Sequence, residues 1–231
     1  MYYFKQIIGN FPIICFIYYI CRVKIEQSIQ EFISQPLTHQ LLVSLLKDYK
    51  RPNDKINELV KSGQLITLKK GLYVWNSANL PELFGIANVI FAPSYVSAES
   101  ALSFRGLIPE RVFSVVSMSF KQSKTFENQL GKFEYRKIPL PYYSLGIKRE
   151  ELRENQFSLM ATAEKALMDK VITTSGILLR SVESAKVFMI ENLRIDEDQL
   201  NLLDTELMNT WAEIAPKKES IKNLIKAIDA L

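Results

Sequence analysis

The stretch KSGQLITLKKGLYVW, Lys61 to Trp75, decides how the first third of the chain is read. Just before it, Ile56, Leu59 and Val60 recur at helical spacing and predict a helix with one apolar stripe. Gly63 suits the position just past a helix end, where the chain turns through positive φ. LITL and LYVW then read as two strands. Lys69-Lys70-Gly71 stands between them, and Gly71 supplies the backbone freedom that a tight hairpin needs.

Working outward, Pro52 fits the first turn of that helix, PNDKINELVKSG. Upstream, Thr38 is an N-cap for HQLLVSLLKDY, with Leu41, Leu42, Leu45 and Leu46 at core spacing. Before Pro36, EQSIQEFIS (26–34) places Ile29, Phe32 and Ile33 on one helical face. Three helices followed by a two-strand hairpin is the pattern of a winged helix-turn-helix. In that pattern the third helix buries Ile56, Leu59 and Val60. It leaves Lys50, Arg51, Asn53, Lys55 and Asn57 at its start and outer side. A recognition helix offers such residues to base edges in the major groove, where Asn pairs with adenine and Arg with guanine. Lys69 and Lys70 at the wing tip would meet the phosphate backbone. The expected DNA-binding set is therefore Lys50, Arg51, Asn53, Lys55, Asn57, Lys69 and Lys70. Exposed hairpin lysines also occur without any ligand. The same shape also serves protein adaptors. His39, at a helix start, reads as a surface or capping residue.

Charge supports the division. The chain has 231 residues and a net charge of +4. Residues 36–75 alone carry seven Lys or Arg and three acids, whereas residues 76–231 are nearly balanced. Such asymmetry points to one module that meets a polyanion. The two cysteines, Cys15 and Cys21, build no disulfide framework for the body, which reads as intracellular. One histidine and no later cysteine leave no structural zinc set.

The first 22 residues differ from the rest. Ile7 to Cys21 is strongly apolar but shorter than a spanning helix requires, and Gly9, Asn10 and Pro12 interrupt it. No small-x-small cleavage site follows. A membrane anchor, a cleaved signal and a mispredicted start compete. The last is favoured, because the fold logic needs nothing before Lys24. Residues 1–22 are thus expected outside the functional protein, 23–76 form the DNA-binding domain and 77–231 a second domain. The expected location is the cytoplasm, with an anchor through residues 7–21 as the alternative.

The second domain reads as mixed. A helix falls within Leu80–Phe91. Another, capped by Ser94 or Ser97, runs through Ser103 to Gly106. Strands are predicted at Phe113–Phe120, Thr125–Leu130, Lys132–Leu140 and Gln156–Met160, making a small antiparallel sheet. From Ala161 the pattern turns helical. Ala163, Ala166, Leu167, Val171 and Ile172 share a side, and further helices follow at 182–192, 196–203, 205–214 and 216–231. The fold class is α+β.

Catalytic signatures do not emerge. GxSxG, P-loop and GxGxxG patterns are absent, and the one histidine lies in the other domain. Glu164 and Asp169 share a face poorly. One reads as a capping or surface acid and the other as the i+4 partner of Lys165. No cofactor or metal is expected, and no enzymatic activity. Lys121 to Arg149 holds seven basic residues and two acids. It reads as solvated strand faces, with a second anionic contact as the alternative.

Three blocks carry a resemblance: Gly71-Leu72-Tyr73 behind the basic wing; Tyr95-Val96-Ser97 with Glu99-Ser100-Ala101-Leu102 and Gly106-Leu107; and Ala161 to Asp169. In this order they resemble the AbiEi-type antitoxins of type IV toxin–antitoxin systems, over about residues 24–175. The resemblance implies a bacterial, cytoplasmic repressor of its own promoter that binds inverted repeats in the DNA. Reading two half-sites would require two copies. It also implies an abortive-infection antitoxin whose C-terminal domain counters a nucleotidyltransferase-like toxin without a stable complex. It supplies no catalytic residues. The apolar leader departs from the family pattern.

Overall fold

A computed structural model describes Ile29, residues 32–110 and residues 112–231. The apolar leader and most of the helix expected at 26–34 lie outside the described residues. The chain divides after Pro81 into two compact units.

In the first unit, strand β1 (Leu37–Thr38) leads directly into helix α1 (His39–Leu45), and Thr38 accepts from the Leu41 N–H at 3.2 Å as its N-cap. Helix α2 (Pro52–Lys61) follows, with Pro52 in its first turn, and Gly63 reverses the chain at φ +74°. Strands β2 (Leu65–Lys69) and β3 (Leu72–Trp75) form the hairpin. β1 adds to β3 in a three-stranded antiparallel sheet of order β1-β3-β2. A two-residue strand has no periodicity to read, so the sequence does not announce β1. Leu42, Leu46, Ile56, Leu59, Leu65 and Trp75 share one buried core with Ile29 and Leu37. The apolar stripe predicted for α2 is therefore the face that packs.

The second unit holds a larger, mixed sheet than the small antiparallel one expected. Its strands are β4 (Tyr95–Val96), β5 (Ser114–Ser119), β6 (Lys124–Asn128), β7 (Gly131–Lys137), β8 (Ile147–Arg153) and β9 (Gln156–Ala161). The order is β6-β7-β5-β4-β9-β8, and the β5–β7 and β4–β9 pairs are parallel. Parallel pairs join segments distant in sequence, which local pattern cannot show. β8 escapes sequence reading because IKREELR is an edge strand whose charges conceal its alternation.

Helix α3 (Leu83–Ile90) covers one face of the sheet, where the Tyr135 hydroxyl donates to Ala87 O at 2.6 Å. Helices α4 (Ala98–Phe104) and α5 (Ala163–Thr173) cover the other, where Arg136 meets Glu99. Asn88 of α3 pairs with both the N–H and the C=O of Leu159, so a side-chain amide continues the hydrogen bonding beyond the end of short β4.

The helical tail comprises α6 (Val182–Lys186), a π-helical run (Val187–Asn192), α7 (Glu197–Leu200), α8 (Thr205–Ala212) and α9 (Lys218–Ile228). The last helix begins at Lys218 rather than Pro216. Lys217 turns left-handed at φ +53°, and its ammonium donates to Val171 O, Thr174 O and Ile177 O at 2.8, 2.8 and 3.0 Å. That caps the carbonyls left open at the end of α5. No described helix is long and apolar enough to cross a membrane.

Two glycines separate backbone strain from crowding. Gly146 and Gly176 both have positive φ, but only at Gly146 would a Cβ meet other atoms, Trp211 at 2.7 Å and the Lys165 Cβ at 2.8 Å. Urea denaturation should show Gly176→Ala destabilised by about 1 kcal/mol and Gly146→Ala by a further ~1–3 kcal/mol. Equal losses would remove the close approach of Trp211 and Lys165 as the reason for a glycine there.

Candidate nucleic-acid interface

The hairpin tip is fixed to the start of α1. The His39 backbone N–H donates to Gly71 O at 2.9 Å, and the His39 side chain is half-buried at that corner. Lys70 is exposed at the tip and Lys69, the last residue of β2, is half-buried. Gly71 turns at φ +78°. The lysines thus stand at a corner joined by a backbone hydrogen bond to the start of α1.

On α2 the residues separate by face. Asn53 and Asn57 are exposed four residues apart, and exposed Lys61 continues the same stripe. The sequence reading did not include Lys61 in the site. The signal was present: its i, i+4, i+8 relation to the two asparagines. Lys50 and Arg51 are exposed just before the helix. Arg51 pairs with Asp54 at 2.9 Å. Lys55 departs from the expected outer position. Its side chain is only 14% exposed, pairs with Glu58 at 2.7 Å and lies 5.7 Å from the centre of the Tyr49 ring. Burial of its aliphatic stem against Tyr49 explains the placement. The structure therefore gathers Asn53, Asn57 and Lys61 on one stripe, with Lys50 and Arg51 at its start. Asp54 and Glu58 stand exposed beside the stripe, and with Asn57 and Lys61 they line a shallow depression.

A second concentration of polar groups lies inside the second unit. Lys165 and Asp169 of α5 are fully buried and pair at 3.0 Å, the i+4 relation expected of them. Tyr95 and Ser97 donate to Asp169 Oδ2 at 2.9 and 2.7 Å, and Lys165 also donates to Tyr142 O at 3.1 Å. The ammonium sits 3.1 Å from the centre of the Tyr142 ring. Burial pulls the Lys165 ammonium down to about 8, while the Asp169 carboxylate opposes the shift. Burial and the Asp169 charge push the Tyr95 and Tyr142 hydroxyls well above their ordinary value. With no side-chain surface open to solvent, the Lys165–Asp169 pair offers a substrate no approach. Its geometry joins β4, α4, α5 and the turn at Tyr142–Ser144. Glu164, at the start of α5, is half-buried and accepts from the Asp204 N–H at 3.4 Å. Among the described residues, no group of three His, Cys, Asp or Glu side chains gathers as metal ligands.

No family model matches the chain, and no curated protein matches it. Among solved structures, the chain is similar to the crystal structure of RV2827C protein from Mycobacterium tuberculosis. The TM-score is 0.48 and the identity 12%, over 89% of this chain and 80% of that one.

Removing one member of a buried ion pair leaves an uncompensated charge, at about 3–5 kcal/mol. Lys165→Met and Asp169→Asn should each lose stability on that scale, and the double variant should lose clearly less than the sum of the two. Additive losses in denaturant titrations would mean that the two groups do not act as a pair. The lysine's folded value lies below its ordinary 10.5, so the unfolded chain holds this proton longer as pH rises from about 8. The stability contributed by this group should therefore increase between about pH 8 and 10, and the double variant should lack that increase. Identical pH profiles would refute the depressed ammonium.

Proposed function

We propose that residues 23–76 act as a winged helix-turn-helix and that the chain is a sequence-selective DNA-binding repressor of its own promoter. The observation that carries this reading is the exposed Asn53–Asn57–Lys61 stripe of α2, in the same unit as a lysine-tipped hairpin fixed to the start of α1. Amide side chains at helix spacing suit adenine edges in the major groove, and the tip lysines suit phosphates. Arg51 serves as a reader once it exchanges Asp54 for a guanine or a phosphate. Lys55 acts indirectly, by bracing the helix against Tyr49. Two copies on an inverted repeat would read its half-sites.

The antitoxin half of the proposal rests on the resemblance of the three sequence blocks to AbiEi-type antitoxins. In it, the second unit counters a nucleotidyltransferase-like toxin in the cytoplasm, without a stable complex, a cofactor or catalysis of its own. Asp54 and Glu58 beside the α2 stripe favour one alternative, a winged-helix adaptor that docks a basic protein partner and does not bind DNA.

Fluorescence anisotropy with the chain's own upstream DNA and a scrambled competitor separates these readings. Selective binding that falls steeply with salt is expected. Lys69→Ala with Lys70→Ala should weaken binding on all sequences, on the order of tenfold, and lower the salt slope by about 2. Asn53→Ala or Asn57→Ala should instead reduce the preference for the operator. The absence of retention on DNA at low salt would transfer the weight to the adaptor. Toxin-rescue growth assays test the antitoxin half separately.

A further inference from the structure

The basic run Lys121 to Arg149 does not form one surface. Lys132 pairs with Glu134 at 2.6 Å, and Arg136 meets Glu99 at 3.1 Å, on the α4–α5 side of the sheet. Lys148 and Arg149 lie on β8, at the opposite edge from β6. Lys121, Lys124 and Lys137 remain, and the fold brings these three together.

Register defines the grouping. Lys124 is opposite Tyr135 in the antiparallel β6–β7 pair, and Lys137 is two residues beyond Tyr135 on the same face. Ser119 is the partner of Lys137 in the parallel β5–β7 pair, and Lys121 follows two residues later. The Lys137 N–H donates to Ser123 Oγ at 3.0 Å, which closes the group around the β5–β6 loop. All three lysines are exposed. The acids of these strands, Glu127 and Glu134, point to the opposite face by alternation. Helix α3, which covers the lysine side, carries no charged residue between Leu83 and Ile90.

Aromatic rings support the ammonium groups. Lys124 lies 4.8 Å from the centre of the Phe126 ring and Lys121 5.8 Å from that of Phe91. Phe91, Phe126 and Tyr135 contact one another at centroid separations of 5.2 to 6.0 Å. Lys121 also donates to Ala92 O at 2.8 Å. A lysine held over a ring loses less freedom when it meets an anion.

We propose that Lys121, Lys124 and Lys137 form a phosphate-binding surface on the second unit, which takes the phosphodiester backbone of a nucleic acid. Its three ammonium groups suit phosphates, and exposed Gln122 is the one amide of the loop beside them, so its binding is largely independent of sequence. It is distinct from the α2–hairpin surface of the first unit.

The test uses the full chain with the first-unit contacts removed (Lys50→Ala, Arg51→Ala, Asn53→Ala, Asn57→Ala, Lys61→Ala, Lys69→Ala and Lys70→Ala). Anisotropy is measured over a salt series with a short duplex DNA of unrelated sequence and, separately, with poly(U) RNA. Residual salt-sensitive binding is expected. Adding Lys121→Gln, Lys124→Gln and Lys137→Gln should weaken it at least tenfold and reduce the salt slope by about 2 to 3. Lys→Arg at the three positions should retain binding. Lys148→Gln with Lys226→Gln should change it little. Circular dichroism and thermal unfolding check that the variants fold. Preference for the duplex or for the RNA identifies the source of the backbone. Unchanged affinity and slope in the folded triple Gln variant would overturn the proposal, as would a loss of stability without a change in binding. Because the first-unit contacts are already removed, failure here leaves the promoter reading intact.

Discussion

Asp169 has no exposed surface, and the architecture of the second unit follows from how its buried carboxyl group is met. Lys165 supplies the counter-ion one helical turn away. Tyr95 and Ser97 supply hydroxyls from β4 and the start of α4. A buried ion must find such partners or the fold loses several kcal/mol, about 3–5 for a broken pair. The hub therefore fixes α5 against the middle of the sheet in one arrangement. Gly146 belongs to the same constraint, because its missing side chain lets Trp211 approach the Lys165 stem. Around the hub, half-buried Glu99 holds Arg136 and Lys170, which joins α4, β7 and α5.

This gives a physical meaning to the sequence blocks Tyr95–Leu102 and Ala161–Asp169. Tyr95, Ser97, Glu99, Lys165 and Asp169 are distant in sequence and adjacent in space. They fasten β4, α4, β7 and α5 to one another. Function has to be sought on the surfaces that the core positions.

Those surfaces are organised by alternation and helical phase. On α2, burial of Ile56 and Leu59 turns Asn53, Asn57 and Lys61 outward. On β6 and β7, burial of Phe133 and Tyr135 puts Lys124 and Lys137 on one side and the acids on the other. In both units the charged face follows from what packs beneath it.

Much of the first unit was legible from residues 37–75, because its signals are local: the Thr38 cap, Pro52 in a first turn, Gly63 and Gly71 at positive φ, and leucines at helical spacing. Strands β5, β6, β7 and β9 and most helices of the second unit also had local signals. What the sequence determined by itself was thus the identity and order of these elements and the excess of positive charge before Trp75. Tertiary structure alone decided the rest. It paired β5 with β7 and β4 with β9 in parallel, turned Lys55 inward against Tyr49, and divided the basic run from Lys121 to Arg149 among three places. It also placed Lys165 and Asp169 out of reach of water. Caps, turns and periodicity act over a few residues and leave a mark in the chain, whereas burial and charge pairing depend on which distant segments meet.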